Sequence, residues 1–405
     1  MLTTSKTPAI LFPILLALYE IATYLSVDMY LPALVQVAED LSAAPSHAQL
    51  TVTLWFLGGA LAYLPLGLVA DRFGRRPILL WGGVIFIVTT TICALTHDIY
   101  TLMIARFIQG ATVCSVLIAG YASVHELYKT KEAIYILAWM ASITVLAPAF
   151  GPVLGSLVLK FFDWRLIFWL LAVWATIIVA LLYWRMPESH PISARVQSNL
   201  LAALRTYATI IGNPGFISSC LVVCFMMAGA VLWITASPFL VIEHFNYSEI
   251  GFGIVQIAVF GSLIIAAQLV KLLIMRMPPK HIVFIGIITI LCASLIMLLF
   301  ALWLPNNLYA LIATLMFYMG GIGLLFGPLQ KQAIAASEAP MGAKIAIFFT
   351  LVATFSSIGS ALASIVYRDS LFSLAFPIIL MGLCAVALYF LMARRYFQTD
   401  HATDD

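Results

Sequence analysis

Long apolar runs alternate with short polar breaks along almost the whole chain, and that rhythm predicts its secondary structure. A helix that crosses a bilayer needs about 20 mainly apolar residues. Runs of that length cover approximately 10–32, 48–70, 78–97, 100–124, 134–159, 164–184, 216–242, 248–273, 281–303, 306–330, 343–365 and 371–392, which predicts twelve transmembrane helices. Because the runs are continuous, not weakly alternating segments of about ten residues, they exclude a transmembrane β-barrel. The breaks at Asp98 and Pro305 are the least marked, so the spans beside them are the most open to another division.

The longest polar stretch, 186–215, separates six spans from six. Pro187 and Pro191 break the sixth helix, and the segment reads as a linker. Its second part, SNLLAALRTYATII, has the pattern of an amphipathic helix lying on a membrane surface. The expected organisation is an all-α membrane protein of two pseudo-symmetric six-helix bundles, 1–185 and 216–405, the second ending in a short cytoplasmic tail. Two six-helix halves predict a two-repeat transporter with its substrate site near the bilayer midplane.

Composition agrees: 63% of the 405 residues are hydrophobic and 9% charged, against roughly 25% charged in soluble domains. The net charge of +3 carries no nucleic-acid signal, because the basic residues are distributed by loop. Lys6, Arg72, Arg75, Arg76, Lys129, Lys131, Arg185, Arg195, Arg205, Lys271, Arg276, Lys280, Lys331, Lys344, Arg394 and Arg395 fall on one side. Lys160, Arg165 and Arg368 fall on the other, and Arg106 lies within a span. The positive-inside rule then places both termini in the cytoplasm. The first run holds Glu20 and Asp28 and no small-residue cleavage pattern, so it is expected to stay in the mature chain. All six cysteines fall in spans, which predicts small apolar packing residues and neither disulfide nor metal site. There is no phosphate-binding G-x-x-x-x-G-K-[ST] loop, no H-E-x-x-H and no convincing serine/histidine dyad, so neither an ATPase nor an intramembrane enzyme is expected.

Glu20 and Asp28 carry the functional reading. An acid near the bilayer centre costs about 2.5–3.5 kcal/mol on insertion scales, and such groups are functional by default. Eight residues apart, the two lie about 80° apart around the helix and roughly 12 Å apart along it, so both can face one cavity. Low polarity favours the neutral carboxyl, whereas a bound cation favours the carboxylate. Substrate and proton then compete for one site, which is antiport in thermodynamic terms. Arg106 has two readings: a partner that pairs with one acid in one conformation, or a structural cap for carbonyls between helices. His125 and Glu126 read as solvated edge residues, and Lys344 as an edge lysine.

The segment Gly67–Pro77, GLVADRFGRRP, places two glycines, a proline and four charges at a membrane edge. It resembles the loop signature G-x-x-x-D-R-x-G-R-R of the major facilitator superfamily. RFIQG around Arg106 resembles that family's intramembrane arginine motif, APAFGPVLG (147–155) its antiporter motif in the fifth helix, and DWRLIFW (163–169) the start of the sixth. DMYLPAL (28–34), WITASPFL (233–240) and the arrangement of Tyr19, Glu20, Tyr24 and Asp28 resemble the drug/proton antiporters of the Bcr/CflA and MdfA-like group. The second repeat matches less well, since KLLIMRMPPK (271–280) lacks the acid and glycines of the first loop.

The resemblance implies proton coupling through Glu20, Asp28 and Arg106, with no cofactor beyond a proton gradient. It implies a pocket of Tyr24, Asp28, Phe56, Tyr121, Met140, Thr144, Leu232 and Trp233. It implies conformational gating by Gly67, Asp71, Arg72, Gly74, Arg75 and Arg76, and by Gly151 and Pro152. Val27 stands where the group has an asparagine, Phe56 where it has an aliphatic residue, and Thr144 where it has an alanine, so pocket shape and polarity are altered. GAKIAI (342–347) departs from the small-residue pattern of the eleventh helix. The expected function is proton-coupled export of small hydrophobic or cationic molecules by a monomer in a bacterial inner membrane. The alternatives are export of one endogenous metabolite, such as a siderophore, and, more weakly, uptake by proton symport.

Overall fold

The computed structural model describes residues 10–144, 146–190, 200–304, 306–366 and 370–393, with side chains omitted at 141–144, 200, 392 and 393. Lys6, Arg195, Arg368, Arg394, Arg395, Pro305 and the side chain of Thr144 therefore lie outside the described residues. Every regular element among the described residues is helical. The first half holds α1 (Leu11–Asp28), α2 (Leu34–Asp40), α3 (Pro45–Phe73), α4 (Arg75–Leu95), α5 (Ile99–Ser115), α6 (Tyr121–Leu127), α7 (Thr130–Thr144), α8 (Ala147–Leu159) and α9 (Arg165–Arg185). After α10 (Leu200–Ile211) come α11 (Pro214–Pro238), α12 (Glu249–Leu273), α13 (Pro279–Trp303), α14 (Leu308–Ala335), α15 (Met341–Val366) and α16 (Leu371–Leu388).

Eleven helical runs among the described residues are long and apolar enough to cross a membrane, α5 and α6 forming one of them through the π-helical turn Val116–Gly120. The remaining expected span, 134–159, is two shorter helices, α7 and α8. Pro148 sits in the first turn of α8, where it lacks an N–H to give the preceding turn and biases its neighbour away from helix. The weakly marked break at Asp98 is real. Asp98 caps α5 by accepting from the Thr101 N–H at 2.7 Å, and this bond holds its carboxyl below the usual value.

The two bundles repeat one packing scheme. In the first, α1 packs on α8 and α9, α3 on α5, and α4 on α9. In the second, α11 packs on α15 and α16, α12 on α14, and α13 on α16. Small residues permit these approaches, as expected where lipid supplies no hydrophobic drive between helices. A methyl group on Gly110 would collide with the Trp55 carbonyl, and one on Gly359 with the Ala228 carbonyl. Two seams join the bundles, α3 with α15 and α8 with α12.

The linker contributes a helix, α10, which packs on α11 and α15. Asn213 behind it caps α11, accepting from Gly215 and Phe216 N–H, and donates to the Ala336 carbonyl at 2.8 Å. Lys344 is not a solvated edge lysine: it is 9% exposed and donates to the carbonyls of Ile334 at 2.8 Å and Ser337 at 2.7 Å. Its ammonium therefore satisfies the open end of α14, where the helix dipole favours positive charge. Lys344→Met should cost about 1–3 kcal/mol, the usual penalty of orphaned buried acceptors. An unchanged thermal-unfolding midpoint of the purified variant would refute the capping role.

Candidate functional site

The acids sit on α1, whose threonine and serine hydroxyls are turned to their own backbone. Thr23 Oγ1 donates to the Glu20 carbonyl at 2.7 Å and Ser26 Oγ to the Thr23 carbonyl at 2.6 Å. Glu20 is 2% exposed and accepts from the Tyr121 hydroxyl at 2.8 Å. Tyr121 begins α6 directly after the π-helical turn, a local register shift of the kind that re-aims side chains at functional sites. Tyr24 lies within electrostatic reach of Glu20, Asp28 and Cys114. Tyr63 of α3 lies within reach of Glu20, Tyr24 and Cys114, and its ring stacks on Phe349 of α15 at 6.0 Å and 26°. Glu20 thus has three tyrosines around it, one of them in contact with the opposite bundle.

Asp28 ends α1, is 3% exposed, and takes no hydrogen bond or ion pair from any described residue. Gly151 of α8 faces its Cβ, and a methyl at Gly151 would collide with it; Gly155 makes the same close approach to the Met29 carbonyl. Pro152 is buried beside them within α8. Arg106 lies within electrostatic reach of Asp28 without forming an ion pair. Its guanidinium donates to the Ser26 carbonyl at 2.8 Å and to the Gln109 side chain, and lies 4.8 Å from the Tyr30 ring centroid and 5.8 Å from that of Phe168. Gln109 passes the chain to the Thr90 hydroxyl at 2.7 Å. Arg106 Nε and Nη2 find no hydrogen-bond partner among the described residues. This geometry ties α5 to α1 through a carbonyl and leaves two donors beside the acid.

The other expected pocket residues are distributed more widely. Tyr24, Phe56, Leu232 and Trp233 share one apolar cluster spanning both bundles, in which Val27 is also buried. Phe56 packs edge-on against Trp55 at 5.1 Å. Trp233 is fully buried, and its indole N–H donates to Gln256 at 3.0 Å, inside the second bundle. Met140 is fully buried in a second cluster with Tyr121 and the first half of α1.

At the basic face, Gly74 adopts φ 102°, which favours glycine, and turns the chain from α3 into α4. Asp71 pairs with Arg75 at 2.7 Å, and Arg75 reaches Glu126 at 3.3 Å and gives its backbone N–H to Glu188 at 3.0 Å. Ser189 also donates to Glu126, at 2.6 Å. Glu126, exposed at the edge as its sequence position suggested, thus also links α6 to α4 and to the segment after α9. Arg76 donates to the Tyr183 carbonyl at 2.6 Å, Arg72 lies over the Phe73 ring at 5.4 Å, and Gly67 has no neighbour within 4 Å of a would-be Cβ. Glu188 carried a signal, an acid between two prolines, whereas Tyr63 and Phe349 look in sequence like any lipid-facing aromatics.

The fold and its buried acids define a polytopic helical membrane protein of two repeated bundles, with its polar groups inside. Residues 16–364 match the Major Facilitator Superfamily, and the chain belongs to that family of transporters. It is 29% identical over 340 residues to multidrug resistance protein MdtM of Salmonella typhimurium, covering 84% of this chain and 82% of the relative. It is 31% identical over 336 residues to multidrug transporter MdfA of Escherichia coli O157:H7, covering 82% and 81%. Chloramphenicol resistance protein CraA of Acinetobacter baumannii is 28% identical over 397 residues, covering 97% and 94%. A bacterial homologue of the human lysosomal transporter Spinster, solved inward-facing and occupied, shares the fold, with a TM-score of 0.73 and 13% identity over 98% of this chain and 99% of that one. The chain is thus a membrane transporter of small molecules, not an enzyme.

Proposed function

We propose that this transporter is a proton-driven exporter of small hydrophobic or cationic molecules, working by exchange at Glu20 and Asp28. The observation that carries the reading is the acid pair on α1, both members under 4% exposed, one against Tyr121 and the other with no bonded partner among the described residues. A carboxyl in an apolar setting favours the neutral form until a cation arrives beside it. A cation arriving at Glu20 would displace that proton, and opening toward the more acidic side would restore it. Arg106 stands ready to stabilise Asp28 through its two free donors. Tyr24, Phe56 and Tyr121 supply apolar and aromatic surface, with Met140, Thr144, Leu232 and Trp233 as further lining. Asp71, Arg72, Arg75 and Arg76, with Gly67, Gly74, Gly151 and Pro152, belong to the parts that move against each other.

In this reading the chain works as a monomer in a bacterial inner membrane, with the basic face and both termini cytoplasmic. The bundles are 1–185 and 216–405, joined by 186–215. Support comes from the buried acids, the loop charges and relatives whose names denote multidrug transport or chloramphenicol resistance. The test is purified protein in liposomes under an imposed pH gradient, with substrate-linked proton release measured for a panel of neutral and cationic compounds. Glu20→Gln should weaken transport of cations selectively and spare neutral compounds. Equal losses in both charge classes would contradict the assignment of Glu20 as the cation's counter-charge.

A further inference from the structure

Both seams between the bundles are stitched by hydroxyl groups toward the face opposite the basic loops. On the first seam, Thr53 of α3 and Ser360 of α15 place their hydroxyls 2.8 Å apart, and Ser360 is also 2.8 Å from the hydroxyl of Thr235 on α11. Thr235 Oγ1 lies 2.9 Å from the Val231 carbonyl, one turn earlier on its own helix. One arrangement gives every proton a partner: Thr53 donates to Ser360, Ser360 to Thr235, and Thr235 to Val231. Ser357 adds a contact across the seam, donating to the Thr53 carbonyl at 3.4 Å. Thr53, Ser360 and Thr235 are all buried. On the second seam, Ser156 of α8 reaches the Glu249 carbonyl of α12 at 2.7 Å and the Pro152 carbonyl of its own helix at 2.7 Å.

We propose that this hydroxyl seam is a reversible clasp that sets how often the transporter opens on that face, with Ser360 as its central positioning residue. The proposal rests on the alternating-access reading, in which the bundles must part there once per cycle. The clasp can part because its members have fallback partners. When the seam opens, Thr235 keeps Val231, Ser360 keeps Thr235 and Ser156 keeps Pro152, while Thr53 turns to water entering the cleft. No buried donor is orphaned, so opening avoids the large penalty of an unpaired polar group in an apolar setting. A salt bridge in this place would hold one state too firmly, and plain apolar contact would give the seam no fixed register. Interhelical hydrogen bonds in membranes shift an equilibrium by roughly threefold each.

The experiment measures the distance between spin labels on Ala44→Cys and Asn306→Cys, one in each bundle at that face, in proteoliposomes of protein carrying Cys292→Ser and Cys384→Ser. Ser360→Ala should raise the ratio of separated to closed molecules about threefold or more, the size expected for such bonds. Ser360→Thr, which keeps the hydroxyl, should stay near wild type. So should Thr89→Ala, since that hydroxyl bonds only to carbonyls of its own helix. If Ser360→Ala does not fold, Thr53→Val removes the same crossing bond from the other side and carries the test. An unchanged ratio in the variant that folds overturns the clasp. Counterflow of the compound panel by the wild type in the same vesicles separates the two readings: a shifted ratio without transport defeats the transport reading alone, and an unshifted ratio with intact transport defeats the clasp alone.

Discussion

Asp28→Asn is expected to reduce pH-gradient-driven efflux to the level of protein-free vesicles, with substrate-linked proton release lost alongside it. The change is nearly isosteric, and the Cβ that packs on Gly151 is retained, so α1 and α8 should keep their contact. What disappears is the capacity to hold and release a proton at the end of α1. No described side chain bonds to Asp28, so no partner is orphaned by the amide and stability should hold. Its effect should exceed that of Glu20→Gln and be most evident with neutral compounds, which bring no charge of their own to drive the exchange. Downhill movement without a gradient should survive, because binding and rocking do not require the carboxylate. Gradient-driven export that persists in both Asp28→Asn and Glu20→Gln, with substrate-induced proton release intact, would eliminate carboxylate exchange as the mechanism.

Gly110→Val should abolish folded protein altogether, read as loss of the monodisperse peak after detergent extraction. Gly110 lies where α5 crosses α3, and its would-be Cβ coincides with the Trp55 carbonyl; Gly58 makes the reciprocal approach to the Phe107 carbonyl. Overpacking a core typically costs about 1–3 kcal/mol when side chains can shift. Here the obstacle is backbone on both sides, so one helix must move away from the other. That movement would also displace Arg106 and Gln109, which anchor α5 to α1 and α4. Gly67→Val is the contrasting case, because among the described residues nothing beyond its own helix lies within 4 Å of a would-be Cβ there, and its folded yield should match wild type. A normal yield for Gly110→Val would mean that the α3–α5 crossing is looser than its glycines indicate.

Crossings inside a bundle and seams between bundles respond differently to substitution. Inside a bundle, backbone touches backbone through glycine and substitution breaks the fold. Between bundles, hydroxyls meet hydroxyls and carbonyls, and substitution is expected to change a population. A transporter needs both: rigid bundles so that a small event at an acid moves a whole unit, and a soft seam so that the unit can move.

Sequence by itself determined the spans, the acids on the first of them and the sorting of basic residues by loop. A bilayer imposes those features locally, since each crossing must be apolar for about 20 residues and must satisfy its backbone within itself. The turn at Gly74 was legible for the same kind of reason, a glycine spacing with a conformational need. Which face of each helix meets which neighbour was decided only in the tertiary structure. Lipid is as apolar as a helix interface, so hydropathy does not distinguish Tyr63, which stacks across the seam, from an aromatic facing the bilayer. Tertiary structure also tied the exposed Glu126 to Arg75 and Ser189, buried the Lys344 ammonium on the end of α14, and divided the fifth span ahead of Pro148. It placed Trp233 against Gln256 within the second bundle, and it brought Thr53, Ser360 and Thr235 from three separate spans into one chain of hydroxyls. Those three positions are hundreds of residues apart or polar in unremarkable contexts, and only packing gives them a common purpose.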